Sequence, residues 1–196
     1  MRSAFRRIKA RITGFKRNED GMASMEMMLM LPLYLFCIFG TYSYWDAFDV
    51  ANRAQKATYS LSDLIARQQT SVTEAYVNGM FGTMEYMMGP SLPVETRVTS
   101  VFYNGTNNRY EVIWSRSSTP TIPRLTTATI MSLQDHLPIM QDGDPLVVIE
   151  TEVEFEPIIG LTTWAVEGLE SRTMRNVIVT RPRFLPKICM QGVACG

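Results

Sequence analysis

The chain has 196 residues, 19 basic against 19 acidic, with 46% hydrophobic residues, one histidine and three cysteines. That balance offers no electrostatic ground for nucleic-acid binding. No metal-ligand spacing, nucleophile elbow or phosphate loop appears around the lone histidine, so no catalysis and no cofactor are expected.

Charge is unevenly placed along the chain. Arg2, Arg6, Arg7, Lys9, Arg11, Lys16 and Arg17 stand against Glu19 and Asp20, a leader of net charge +5. From Met22 to Tyr44 the chain then carries 23 residues and one charge, Glu26. At 1.5 Å per residue this run makes a helix of about 34 Å, enough to cross a bilayer core. By the positive-inside rule the leader stays in the cytosol and the remainder lies outside it. Without residues 1–21 the chain has 12 basic and 17 acidic residues, so the exported part is mildly acidic.

An ionised carboxylate in hydrocarbon costs several kcal/mol or protonates, so Glu26 calls for a partner at the cytosolic end of the run. It also has room to snorkel to the headgroups, as in an ordinary signal anchor. Were the chain cut after Gly21, the new α-amino group on Met22 would stand four residues before Glu26, within reach of that carboxylate or of Glu26 in a neighbouring copy. Small Gly21 would let a protease approach the backbone. A secretory signal peptide fits less well, because it calls for a shorter apolar core and an Ala-x-Ala-like site, and Thr41-Tyr42-Ser43-Tyr44-Trp45 is a poor one.

Past the membrane run, Ala47, Val50, Ala51, Ala54, Ala57, Leu61, Leu64 and Ile65 continue at helical spacing, with Asn52, Arg53, Gln55, Lys56, Asp63 and Arg67 mainly opposite. One helix to about Gln69 is predicted, half in lipid and half lining a soluble domain, with Pro32 removing the backbone bond to Met28 and kinking it. Ser71-x-x-Glu74 reads as a capping box for a second helix. Its stripe of Tyr76, Val77, Met80, Phe81, Met84, Met87 and Met88 reads as core packing rather than a copper site, and Gly89-Pro90 stops it.

Two extended segments, 95–103 and 109–116, flank Asn104-Gly105-Thr106-Asn107-Asn108 and read as a hairpin. Asn104-Gly105-Thr106 also fits a glycosylation sequon and is taken here as turn chemistry. Residues 117–144 are Thr/Pro-rich, then weakly helical from Ala128 to Leu137, with His136 a surface or capped residue rather than a base. Asp142-Gly143-Asp144-Pro145 is a turn; a calcium loop would need more oxygen ligands.

Residues 147–156 alternate with period two, placing Val147, Ile149, Thr151, Val153 and Phe155 on one face and Glu150, Glu152, Glu154 and Glu156 on the other. Four carboxylates in a row repel one another unless cations answer them. Arg97, Arg172 and Arg175 are the intramolecular candidates, a partner's basic groove is the functional alternative, and a solvated face is the plain one. Residues 158–169, with Trp164, read as an apolar loop or short helix, and a last strand over 174–180 leads into Arg181-Pro182-Arg183. Cys37 falls mid-membrane as a small packing residue. Cys189 and Cys195, six apart in an oxidising compartment, fit a terminal disulfide loop, with free thiols or a metal pair as alternatives.

The expected fold is α+β: a long N-terminal transmembrane and stem helix packed on a small antiparallel sheet of about four strands. The organisation is a leader over 1–21, a membrane helix over 22–44, a stem over 45–69 and an outer domain over 70–196.

The basic leader, Gly21, the glutamate at the fifth position after it and the apolar helix resemble the class III signal of prepilins, which a prepilin peptidase cuts. Within that class, Glu19-Asp20-Gly21-Met22-Ala23-Ser24-Met25-Glu26, followed by Leu29-Met30-Leu31-Pro32-Leu33, resembles the start of TadE-like proteins of the tight-adherence (Tad/Flp) pilus system. Arg181-Pro182-Arg183, closing an apolar stretch, resembles the region near the end of that family. The resemblance is sharp over roughly residues 15–50 and loose elsewhere, and Met25 and Met27 depart from the Val, Ala or Phe more frequent in relatives.

It implies that Gly21 precedes the cut, Met22 is the new N-terminus, and Glu26 sets register against a neighbouring pilin-like subunit. The implied fold is pilin-like, and the implied role is a minor pilin or pseudopilin in assembly of an adhesive pilus, since the family's major subunits are far shorter. Its partners would be the prepilin peptidase, other pilin-like subunits with the Tad assembly machinery, and inner-membrane lipid. TadF-like and TadG-like proteins share the signal. The alternatives are an uncleaved, signal-anchored periplasmic binding or scaffold protein, and a membrane-tethered enzyme, for which no candidate site exists.

Overall fold

The structure is a computed structural model that describes residues 20–157 and 171–195. The chain divides into two compact units, 1–44 and 45–196. Helix α1 (Asp20–Ala66) runs through the boundary, with Pro32 inside it. Helix α2 (Glu74–Met88) follows, then strands β1 (Val94–Asn104) and β2 (Arg109–Ser117), a 3-10 helix (Ile130–His136), and strands β3 (Pro145–Phe155) and β4 (Arg172–Thr180). The four strands form one antiparallel sheet in the order β2-β1-β3-β4. The expected α+β architecture, a long N-terminal helix with a small antiparallel four-stranded sheet, is what the chain adopts. The leader over 1–19 and the segment 158–170, including Trp164, lie outside the described residues.

In the second unit, the helices cover one face of the sheet. Ala47, Val50, Ala54, Ala57, Leu61 and Ile65 of α1 are buried at helical spacing, and α2 adds Val77, Met80, Phe81, Met84 and Met88. They meet Val94 and Val98 of β1, Trp114 of β2, and Val147, Ile149, Val153 and Phe155 of β3. The run of alanines lets the backbone of α1 approach the strands closely, and Thr58 Oγ1 meets Thr151 Oγ1 at 2.9 Å across that contact. The methionines at 80, 84 and 88 are core; Met87 faces out.

Helix α1 ends at Ala66, three residues before the expected end. There the tail takes over its capping: the Arg183 N–H donates to the Ala66 carbonyl at 2.9 Å, and Arg183 pairs with Asp63 at 3.0 Å. The expected capping box at Ser71 does not form. Val72 is instead drawn into a parallel bridge with Met190, so the N-cap moves to Thr73, whose hydroxyl accepts from the Tyr76 N–H at 3.1 Å. Glu74 turns to Arg116, 3.3 Å away.

The hairpin forms as expected. The Gly105 N–H donates to Asp142 Oδ1 at 2.6 Å, and a Cβ there would lie 2.8 Å from Asp142 Cβ, so this turn requires glycine. Asn107 and Arg109 hold the Glu111 carboxyl below its usual range. Asp142 is thus engaged in the turn, and Asp144 accepts from the Gln141 N–H and pairs with Arg181 at 3.1 Å. Both carboxylates of the 142–145 segment are committed to the turn and its neighbours.

The second sheet face is covered over part of its length. Leu125, Ile130, Leu133, Leu137 and Met140, from the Thr/Pro-rich stretch and its 3-10 helix, cover Val101, Tyr110, Leu146 and Val148. An extra residue in β2 at the register shift, where Ser100 pairs with Trp114 and Val101 with Val112, turns that strand so that Trp114 faces the helices while Tyr110 and Val112 face this cover. Bulges serve this purpose elsewhere, re-aiming the side chains that follow.

Beside that cover lies a buried charge row. Glu150 is 1% exposed, directly opposite Arg97 across the β1/β3 pair. Arg97 Nη2 approaches Glu150 Oε2 at 2.6 Å, and Arg97 Nη1 donates to the Pro123 carbonyl. Arg175 reaches Glu150 from β4 and lies 3.5 Å from Glu152. Of the three intramolecular candidates, Arg97 and Arg175 answer the carboxylates, while Arg172 is exposed and takes no part. Glu154 remains exposed.

Candidate functional site

The head of α1 is the candidate site. Helix α1 is described from Asp20 onward, so the Gly21–Met22 peptide bond lies at the described start of the helix. Met22 and Glu26 are one turn apart, and both are exposed. Among the described residues no cation pairs with Glu26.

Beyond Glu26 the apolar run is exposed around the whole circumference of the helix. Met27, Met28, Leu29, Met30, Leu31, Leu33, Tyr34, Ile38 and Tyr42 are each about half exposed or more, with Met28 at 78%. A helix in water buries one apolar stripe and presents a polar face; this segment has no polar face. It is the one helix among the described residues long and apolar enough to cross a membrane, and none of its most apolar 18-residue window is buried. Pro32 sits in this run without interrupting the helix, and Cys37 is a free, exposed thiol within it. The Thr41 hydroxyl returns to the Cys37 carbonyl at 2.8 Å, keeping a polar group satisfied inside an apolar stretch.

At the other end of the chain, Cys189 and Cys195 are joined in a disulfide with a Cα–Cα separation of 5.4 Å. Among the described residues no cluster of His, Cys, Asp and Glu is arranged to hold a metal ion. His136 is exposed at the end of the 3-10 helix, on the rim of an open hollow with Asp135, Thr180 and Arg181.

Sequence reasoning did not locate the Thr73 cap or the burial of the Arg97–Glu150 pair. The Thr73 cap was hidden behind the better-looking Ser71, and only the Val72–Met190 bridge explains the shift. The Arg97–Glu150 pair was legible as a possibility, since both residues sit in strands, but its burial depends on the 118–144 cover. Comparison with protein-family models, with curated proteins and with solved structures finds no match.

Proposed function

We propose that this chain is a minor pilin or pseudopilin of TadE-like type, cut by a prepilin peptidase between Gly21 and Met22. Residues 22–44 anchor it in the inner membrane with the leader cytosolic and the sheet domain periplasmic. Its work is structural: the stem helix associates with other pilin-like helices while the outer domain takes part in starting or ending an adhesive fibre of the Tad/Flp kind. The observation that carries this reading is Glu26, the single charge in an exposed apolar run, five residues after Gly21 and one turn after Met22.

A carboxylate in that position destabilises an isolated anchor and favours a neighbour that brings a cation, such as the α-amino group of a processed Met22. Glu26→Gln keeps shape and removes charge. In the piliated host we expect the variant to insert and accumulate like the parent, yet to lose fibre assembly and cross-linking to partner subunits. Normal piliation by a stable, inserted Glu26→Gln protein would contradict the register role.

A further inference from the structure

Residues 188–191 reach β1, β2 and the linker between α1 and α2. The Ile188 carbonyl accepts from Ser100 Oγ of β1 at 2.9 Å and from the Trp114 indole N–H of β2 at 2.8 Å. Ile188 and Met190 are themselves buried in that core. One residue on, the Cys189 carbonyl accepts from the Val72 N–H, and the Gln191 N–H donates back to the Val72 carbonyl, both at 2.9 Å. Val72 stands immediately before the Thr73 N-cap, in the linker between α1 and α2.

The two backbone groups that grip Val72 therefore belong to residues inside the ring that Cys189–Cys195 closes. Gly192, with φ of +80°, turns the chain within that ring, and the Val193 N–H bonds to the Met190 carbonyl. Ile188 and Met190 hold the tail by burial, which is indifferent to thiol oxidation. The two hydrogen bonds to Val72 are made by backbone groups of ring residues.

We propose that the Cys189–Cys195 ring is a redox-controlled clasp: closed, it pins the α1–α2 linker at Val72, and opened to two thiols it frees that linker while the sheet stays formed. The step balances as thiol–disulfide exchange. A thiolate of one cysteine attacks the disulfide of a dithiol oxidoreductase, and the second cysteine displaces it. The ring disulfide forms as the oxidised oxidoreductase takes up two electrons and two protons, and it opens by the reverse exchange, with a reduced dithiol oxidoreductase donating two electrons and two protons. A thiol oxidase of the compartment into which the domain is exported is thus the partner this feature calls for. The inference does not depend on the pilus reading, since it holds equally for an uncut anchored protein.

The test is amide hydrogen exchange on the full chain in detergent micelles, in a Cys37→Ala background, before and after reduction with dithiothreitol. The Cys189→Ser/Cys195→Ser protein provides a second open form. We expect the Val72 and Gln191 amides to exchange on the order of tenfold faster or more in both open forms, as loop-closure entropy for so short a ring suggests. Amides of β1 and β3 should be unchanged. Unaltered exchange at Val72 and Gln191 would overturn the clasp, leaving the tail held by Ile188 and Met190 alone. A uniform acceleration across the sheet would overturn it too, because the ring would then act on global stability.

Discussion

Glu150 shows how little a side chain's identity says about its surroundings. It alternates with Glu152 and Glu154 on β3, yet it is buried between two arginines while Glu154 meets solvent. The difference lies in residues far away in sequence. Pro123 and the apolar side chains of 125–140 close over one end of the sheet face and leave the other open. Period two was readable in the sequence; which carboxylate is covered was not, because the cover is a Thr/Pro-rich stretch with weak periodicity. Glu150→Ala strands Arg97, itself 6% exposed, without a counter-charge. We expect it to cost about 3–5 kcal/mol, read as a lower urea midpoint for the oxidised protein. Arg97→Met with Glu150→Leu removes both charges and should recover most of that loss, since buried ion pairs rarely outdo well-packed apolar replacements.

At the scale of elements, the long periodic segments were the most legible. Helix α1 declares itself by its apolar run and by the alanines of its second half, and the β1–β2 hairpin by its Asn/Gly turn between β-rich segments. The less legible parts are those where tertiary contact overrides a local signal. Ser71 gave way to Thr73 because Val72 is paired with the tail, and β2 changes faces between Val112 and Trp114 because its two ends serve different cores. Helix α2 carries a local cost of its own. Gly79 and Gly82 lie in its exposed face, and a Cβ at either would have no atom within 4 Å. Gly79→Ala and Gly82→Ala should therefore each stabilise the isolated protein by about 0.5–1 kcal/mol, additively, as raised thermal midpoints. A loss of stability from either change would mean that the helix is not packed as described.

For the whole molecule, the sequence and the fold divide the labour in the same place. One unit carries the apolar head of α1; the other carries a two-sided sheet with its own cores, and a tail closed by a disulfide that suits an oxidising compartment. The proposed export of a mildly acidic domain behind the basic leader fits that division. The central claim is that the leader is removed at Gly21, so the decisive measurement is the N-terminal residue of the membrane-extracted protein by mass spectrometry, in hosts with and without the prepilin peptidase. We expect Met22 at the N-terminus only where the peptidase is present. A chain that keeps Met1 or Arg2 in both hosts would contradict the pilin-like assignment and leave a signal-anchored protein.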